Sequence, residues 1–136
     1  MFGILYTIQP SGEQSVDFLA THADIDLLQQ RVGGLVEVIP YFDTVKIEQV
    51  PQAPDDAYLS LLKRASEKPV RCVAFCNEEG KLKGLGYNEL ATRLWAMSMV
   101  NLGVVRPNDD GDVMLDDVLV GPVVIAFGDD EFLESL

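Results

Sequence analysis

Apolar residues in this chain fall into runs of two kinds, and the runs predict most of its elements. Gly3–Gln9 is a nearly continuous apolar segment stopped by Pro10-Ser11-Gly12, and it predicts a first strand. Thr21-His22-Ala23-Asp24 has the form of a capping box, and Ile25, Leu28 and Val32 follow at helical spacing until Gly33-Gly34. Leu35–Ile39 is a short strand closed by Pro40, and Thr44–Val50 alternates as a further strand, expected to pair with it through Tyr41-Phe42-Asp43. Pro54-Asp55-Asp56 opens a second helix with the stripe Tyr58, Leu61, Leu62 and Ala65. Lys63, Arg64 and Lys68 stand near its end and Pro69 closes it, so both ends complement the helix dipole.

Val70–Cys76 is almost wholly apolar and is expected to be a buried central strand. Asn77–Tyr87 follows as a loop or tight hairpin. Asn88 is placed to cap a helix running to about Met99, with Ala91, Leu94, Trp95 and Ser98 on one face. Arg106–Asp112 is a polar turn around Asp110-Gly111. Val118–Val120 and Val123–Phe127 read as a last strand bent at Gly121-Pro122, where proline favours an edge or a bulge. Asp129–Leu136 is a short closing helix. The pattern predicts a single α+β domain over residues 1–136, a mixed or antiparallel sheet with two to three helices packed on it. Its expected core includes Ile25, Leu28, Leu61, Leu62, Val73, Phe75 and Val124.

Composition agrees with that picture. The 136 residues are 48% apolar, enough for a core without staples. The N-terminus lacks a basic segment, and the longest uncharged apolar stretches, Leu94–Val105 and Val118–Gly128, fall short of the roughly 20 residues a membrane span needs. Cys72 and Cys76 lie four apart on an expected strand, about 13 Å, against the roughly 4.4–6.8 Å between Cα atoms that a disulfide requires. Free thiols suit a cytoplasmic setting.

Charge changes the picture more. Net charge is −12, and it is unevenly placed. Thirteen acids face ten bases up to Arg106, whereas the remaining residues hold nine acids and no base. Asp109, Asp110, Asp112, Asp116 and Asp117 crowd one short stretch. Such a surface repels duplex nucleic acid and anionic lipid, which argues against direct nucleic-acid binding and against a membrane role. It attracts a basic protein partner, and it also serves solubility alone.

Catalytic motifs fail one by one. Gly84-Leu85-Gly86-Tyr87-Asn88-Glu89 has glutamate where a dinucleotide fingerprint needs its third glycine, and Gly80-Lys81-Leu82-Lys83-Gly84 lacks the spacing of a phosphate loop. Aligning Gly111 with the invariant glycine of a calcium loop places Arg106 at the first ligand position. His22 is the only histidine, so two-histidine metal sites are excluded and Cys76 has no neighbouring imidazole in sequence. No cofactor is implied. The segment after Val70–Cys76 still stands out. Asn77, Glu78, Lys81 and Asn88 are the candidate ligand-binding residues for a small polar molecule such as a nucleotide or metabolite, because a loop beyond a buried strand is a common place for binding groups. Asp109, Asp110, Asp112, Asp116 and Asp117 are the candidate partner-binding residues.

Three segments carry a family resemblance. They are Leu27–Val38, with its Gln29-x-x-Val32-Gly33-Gly34, then Asn77-Glu78-Glu79-Gly80-Lys81-Leu82, and then Asp117–Val124. In this order and spacing they resemble a domain-of-unknown-function family, numbered 3846, of phages, plasmids and bacterial integrative elements. Asn88 matches the asparagine that follows the loop in relatives, while the stretch between Asn88 and Asp117 is longer here. The resemblance implies an accessory protein of a mobile element in a bacterial cytoplasm. It implies no reaction. The expected function is non-enzymatic protein binding through an acidic surface, with a host-defence or nucleic-acid-handling partner and DNA mimicry as its strongest form. Small-ligand binding by the 77–88 loop is the alternative.

Overall fold

A computed structural model describes all residues, 1–136. The elements in chain order are β1 (Gly3–Ile8), β2 (Gln14–Leu19), α1 (Ile25–Val32), β3 (Val36–Val38), β4 (Thr44–Val45), α2 (Asp56–Glu67), β5 (Val70–Arg71), β6 (Val73–Asn77), α3 (Glu89–Asn101), β7 (Val123–Gly128) and α4 (Asp130–Glu134). Five strands form one antiparallel sheet in the order β2-β1-β7-β6-β3, and β4 pairs with β5 apart from it. The fold is α+β.

Helices cover both faces of the large sheet. On one face Ile4, Tyr6, Ile8, Ala74 and Ile125 pack under Tyr58 and Leu62 of α2 and Leu94, Trp95 and Met99 of α3. On the other, Leu5, Phe75, Val124 and Ala126 pack under Leu28 and Val32 of α1 and Phe132 of α4. β1 and β7 are therefore buried on both sides, which is why they read as continuous apolar runs rather than alternating ones.

Several expectations hold in detail. Asp55 caps α2 by accepting from the Tyr58 amide, the helix stops before Pro69, and Asn88 caps α3. The short closing helix is present as α4, and the structure adds its cap, Asp129. Of the expected core residues, Leu28, Leu62, Phe75 and Val124 are buried, and Leu61 and Val73 are partly buried against the core. Cys72 and Cys76 are free thiols.

Other expectations are corrected. Ile25 is 54% exposed because it opens α1, whose buried side is Leu28 and Val32. The N-cap of that helix is Asp24, accepting from the Asp26 amide, and not Thr21. β2 was not expected. Pro10-Ser11-Gly12 does not merely stop β1 but turns it, with Gly12 at φ 89° and the Gln9 amide bonded to the Glu13 carbonyl. Val16 and Phe18 of β2 then reach the core.

The run Val70–Phe75 is divided. β5 joins β4, while β6 lies second from the edge of the large sheet, and the central strand is β7. Cys72, between the two pieces, donates its amide to the Asp43 carbonyl. Nor does Thr44–Val50 pair with β3. After Pro40, Tyr41 takes φ 63° and the chain turns away. Ser98 on α3 fixes that turn, because its hydroxyl accepts from the Asp43 and Thr44 amides and donates to the Tyr41 carbonyl. Pro122 sits one residue before β7, where its missing amide costs no ladder bond. Val118–Val120 forms only an isolated bridge, between Tyr87 and Val120.

Candidate functional site

The end of β6 feeds the Asn77–Leu85 loop. Asn77 is buried, and its side chain anchors the loop twice: its Nδ2 donates to the Val32 carbonyl at 3.2 Å, and its Oδ1 accepts from the Glu79 amide at 2.9 Å. That approach needs Gly34, since a Cβ there would lie 2.7 Å from Asn77 Nδ2. The Leu85 amide bonds back to the Gly80 carbonyl, and Gly84 takes φ 66° to close the turn. The loop thus presents Glu78 and Lys81 to solvent from a fixed base.

A cleft of about 270 Å³ opens beside this loop. Its floor is apolar, built from buried Ile39, Trp95 and Leu119 with half-buried Cys76. Its rim combines exposed Val38, Leu82 and Val118 with Glu37, Glu78, Lys81 and Asp117. Lys81 Nζ donates to Asp117 Oδ1, which joins the acidic segment to the loop. The Lys81 hydrogen bond, with help from the Val118 amide, holds the Asp117 carboxyl below its ordinary range. Lys83 is engaged by Glu79 at 3.5 Å. Glu37 and Glu78 have no cationic partner, so the rim carries three carboxylates against one ammonium.

The sequence candidates divide. Asn77, Glu78, Lys81 and Asp117 meet at the cleft. Asn88 does not. It is fully buried, with Nδ2 donating to the carbonyls of Ile8 and Gly121 at 2.9 Å each and Oδ1 accepting from the Ala91 amide. Asn88 therefore clamps the strand ends to α3, with both donors used, and its full burial keeps it out of a ligand's reach. Asp109, Asp110 and Asp112 stand on an exposed turn, where Asn108 Oδ1 accepts from the Asp110 and Asp112 amides and Gly111 takes φ 83°. They and Asp116 form no ion pair. Sequence patterns did not point to Glu37, Ile39 or Trp95 as cleft residues. They reach it from β3, the residue beyond it and α3, and no local signal links them.

The thiols are poor nucleophiles. Burial, helped by the charge of Glu37, pushes Cys76 up to about 11, and burial also raises Cys72. Tyr6 is raised to about 12 by burial and by Glu48. An unfolded chain releases these protons near 9 and 10, whereas the folded chain holds them until about 11 for Cys76 and about 12 for Tyr6. The folded state thus binds more protons in that window, and stability falls as pH rises from about 9. Melting temperatures measured from pH 8 to 11 should decline steadily, and Cys76→Ala should lessen the earlier part of the decline, which Cys72 shares. A flat profile would mean that Tyr6 and Cys76 are solvated. No three His, Cys, Asp or Glu side chains are grouped as a metal site requires, and no helix is long and apolar enough to cross a membrane.

No family model, curated protein or solved structure matches this chain.

Proposed function

We propose that this protein is a non-enzymatic binding module that holds a basic protein partner at the cleft between the Asn77–Leu82 loop and Asp117. The resemblance supplies the setting, an accessory protein of a phage or other mobile element acting in a bacterial cytoplasm. One observation carries the reading: an apolar floor lies beneath a rim of Glu37, Glu78 and Asp117 with only Lys81 to balance them. An apolar base takes the stem of a lysine or arginine, and an uncompensated acidic rim takes its charged head. The unpaired acids of the 109–112 turn add long-range attraction that raises the encounter rate.

Affinity capture from host lysate, followed by association kinetics of the captured protein, tests this. Glu37→Gln with Glu78→Gln should slow association roughly tenfold and flatten its salt dependence. Replacing Asp109, Asp110 and Asp112 with Asn should act in the same direction but less, and it should not lower stability. A partner indifferent to both sets of changes would exclude this face. A second reading, a small polar ligand, is favoured by the cleft's volume, close to the lower limit of about 300 Å³ for ligand pockets. A thermal shift with one member of a nucleotide and metabolite panel, lost in Lys81→Ala, would select it.

A further inference from the structure

One of the two edges of the large sheet, β3, runs beside this cleft. The Ile39 amide bonds to the Ala74 carbonyl and the Glu78 amide to the Leu35 carbonyl, and Glu37 pairs with Cys76. In an antiparallel ladder the intervening residues turn their backbone groups outward, so the amides and carbonyls of Val36 and Val38 face away from β6. Nothing in the chain bonds to them. Edges are commonly guarded by lysine, proline or a bulge. β3 has none of these within its span; its guards are its three-residue length and the charge of Glu37, which a basic segment would complement, and it leaves Val38 57% exposed. Pro40 ends the open run.

We propose that the partner binds by adding an extended basic segment to the free edge of β3, its backbone pairing with Val36 and Val38 and a lysine or arginine entering the cleft. This rests on the basic-partner reading above and specifies how that partner is held. Four outward backbone groups supply direction, and Glu37, Glu78 and Asp117 supply the choice of side chain. Charge selects this occupant over a second copy of the chain. Two copies joined along β3 would bring both Glu37 carboxylates and both acidic rims together, each on a molecule of net charge −12.

The probe is the blocked heptapeptide Lys-Val-Lys-Val-Lys-Val-Lys, compared with the same peptide methylated at every backbone nitrogen and with its Glu-for-Lys counterpart. Trp95 is the only tryptophan and lines the cleft, so its fluorescence reports occupancy. At low ionic strength the Lys-Val peptide should shift Trp95 emission and slow hydrogen exchange of the Val36 and Val38 amides at least about tenfold. The methylated and acidic peptides should bind at least about tenfold more weakly. Val38→Pro removes an outward donor that no ladder bond uses, and it should weaken the Lys-Val peptide similarly. Two outcomes overturn strand addition alone. One is a methylated peptide that moves Trp95 with equal affinity while Val36 and Val38 exchange freely. In that case the acidic cleft stands, provided Glu37→Gln with Glu78→Gln abolishes the signal. The other is self-association in sedimentation that Val38→Pro abolishes, which assigns the edge to a second copy. A Lys-Val peptide that leaves Trp95 and both amides unchanged overturns strand addition and the basic-partner reading together.

Discussion

Asn88→Ala is expected to destabilise the protein by about 2–4 kcal/mol. The helix cap accounts for about 1 kcal/mol, since Oδ1 accepts from the Ala91 amide at the start of α3. The larger part comes from the carbonyl of Gly121, which loses its Nδ2 donor in the buried interior, while the Ile8 carbonyl loses a second donor and keeps its ladder pairing with Val123. An orphaned buried acceptor costs about 1–3 kcal/mol. Urea denaturation should show the midpoint falling by roughly 2 M at an unchanged slope. Asn88→Asp keeps the cap but loses both donors and places a carboxylate against two carbonyls. It should be as unstable as Asn88→Ala at neutral pH and recover in mild acid, where a protonated carboxyl donates one bond. Burial raises that carboxyl's pKa, so its contribution is present at low pH and lost as pH rises. A cost below about 1 kcal/mol for Asn88→Ala would mean that the Gly121 carbonyl finds another donor.

Phe132→Ala is expected to cost about 3–5 kcal/mol and to release α4 from the sheet. A five-residue helix has no stability of its own. It is held by the buried Phe132 ring, which lies over the paired residues Gly3 and Gly128, where a Cβ on Gly128 would come within 2.9 Å of Phe132 Cδ1. Asp129 adds to this by accepting from the Phe132 and Phe2 amides, and those bonds hold its carboxyl below the ordinary range. Hydrogen exchange should accelerate from Phe132 to Leu136 in the variant. Unchanged protection there would show that the Asp129 cap alone retains the helix.

Both predictions rest on side chains whose role is partly legible in sequence. Asn88 before an apolar helical stripe reads as a cap, and it is one. Its two donor bonds, to carbonyls 80 and 33 residues away, do not appear in any local pattern. The same residue also shows why a polar loop residue need not be a ligand-binding one: it is fully buried and its donors are used inside the fold. Ser98 was readable only as a member of the buried face of α3, yet it fixes the 41–44 turn from more than fifty residues away.

The candidate site was half visible. Asn77, Glu78 and Lys81 drew attention because polar groups followed a buried strand, and Asp117 because acids crowded together. That these two stretches form one rim depends on the Lys81–Asp117 ion pair, and the floor depends on Trp95 and Ile39 arriving from other elements.

The sequence by itself determined the α+β class, the helices with the caps at Asp55 and Asn88, the free thiols and the acidic imbalance. These follow from periodicity, from local capping bonds and from counts of charge, each confined to a few neighbouring residues or to the whole composition. The tertiary structure alone decided strand order, the division of Val70–Phe75 between two sheets, the central place of β7 and the open edge of β3 beside the cleft. An apolar run records that a strand is buried but not which strands lie beside it. That choice is made by long-range pairing and by bonds such as those of Ser98 and Asn88, which act only once the chain has come together.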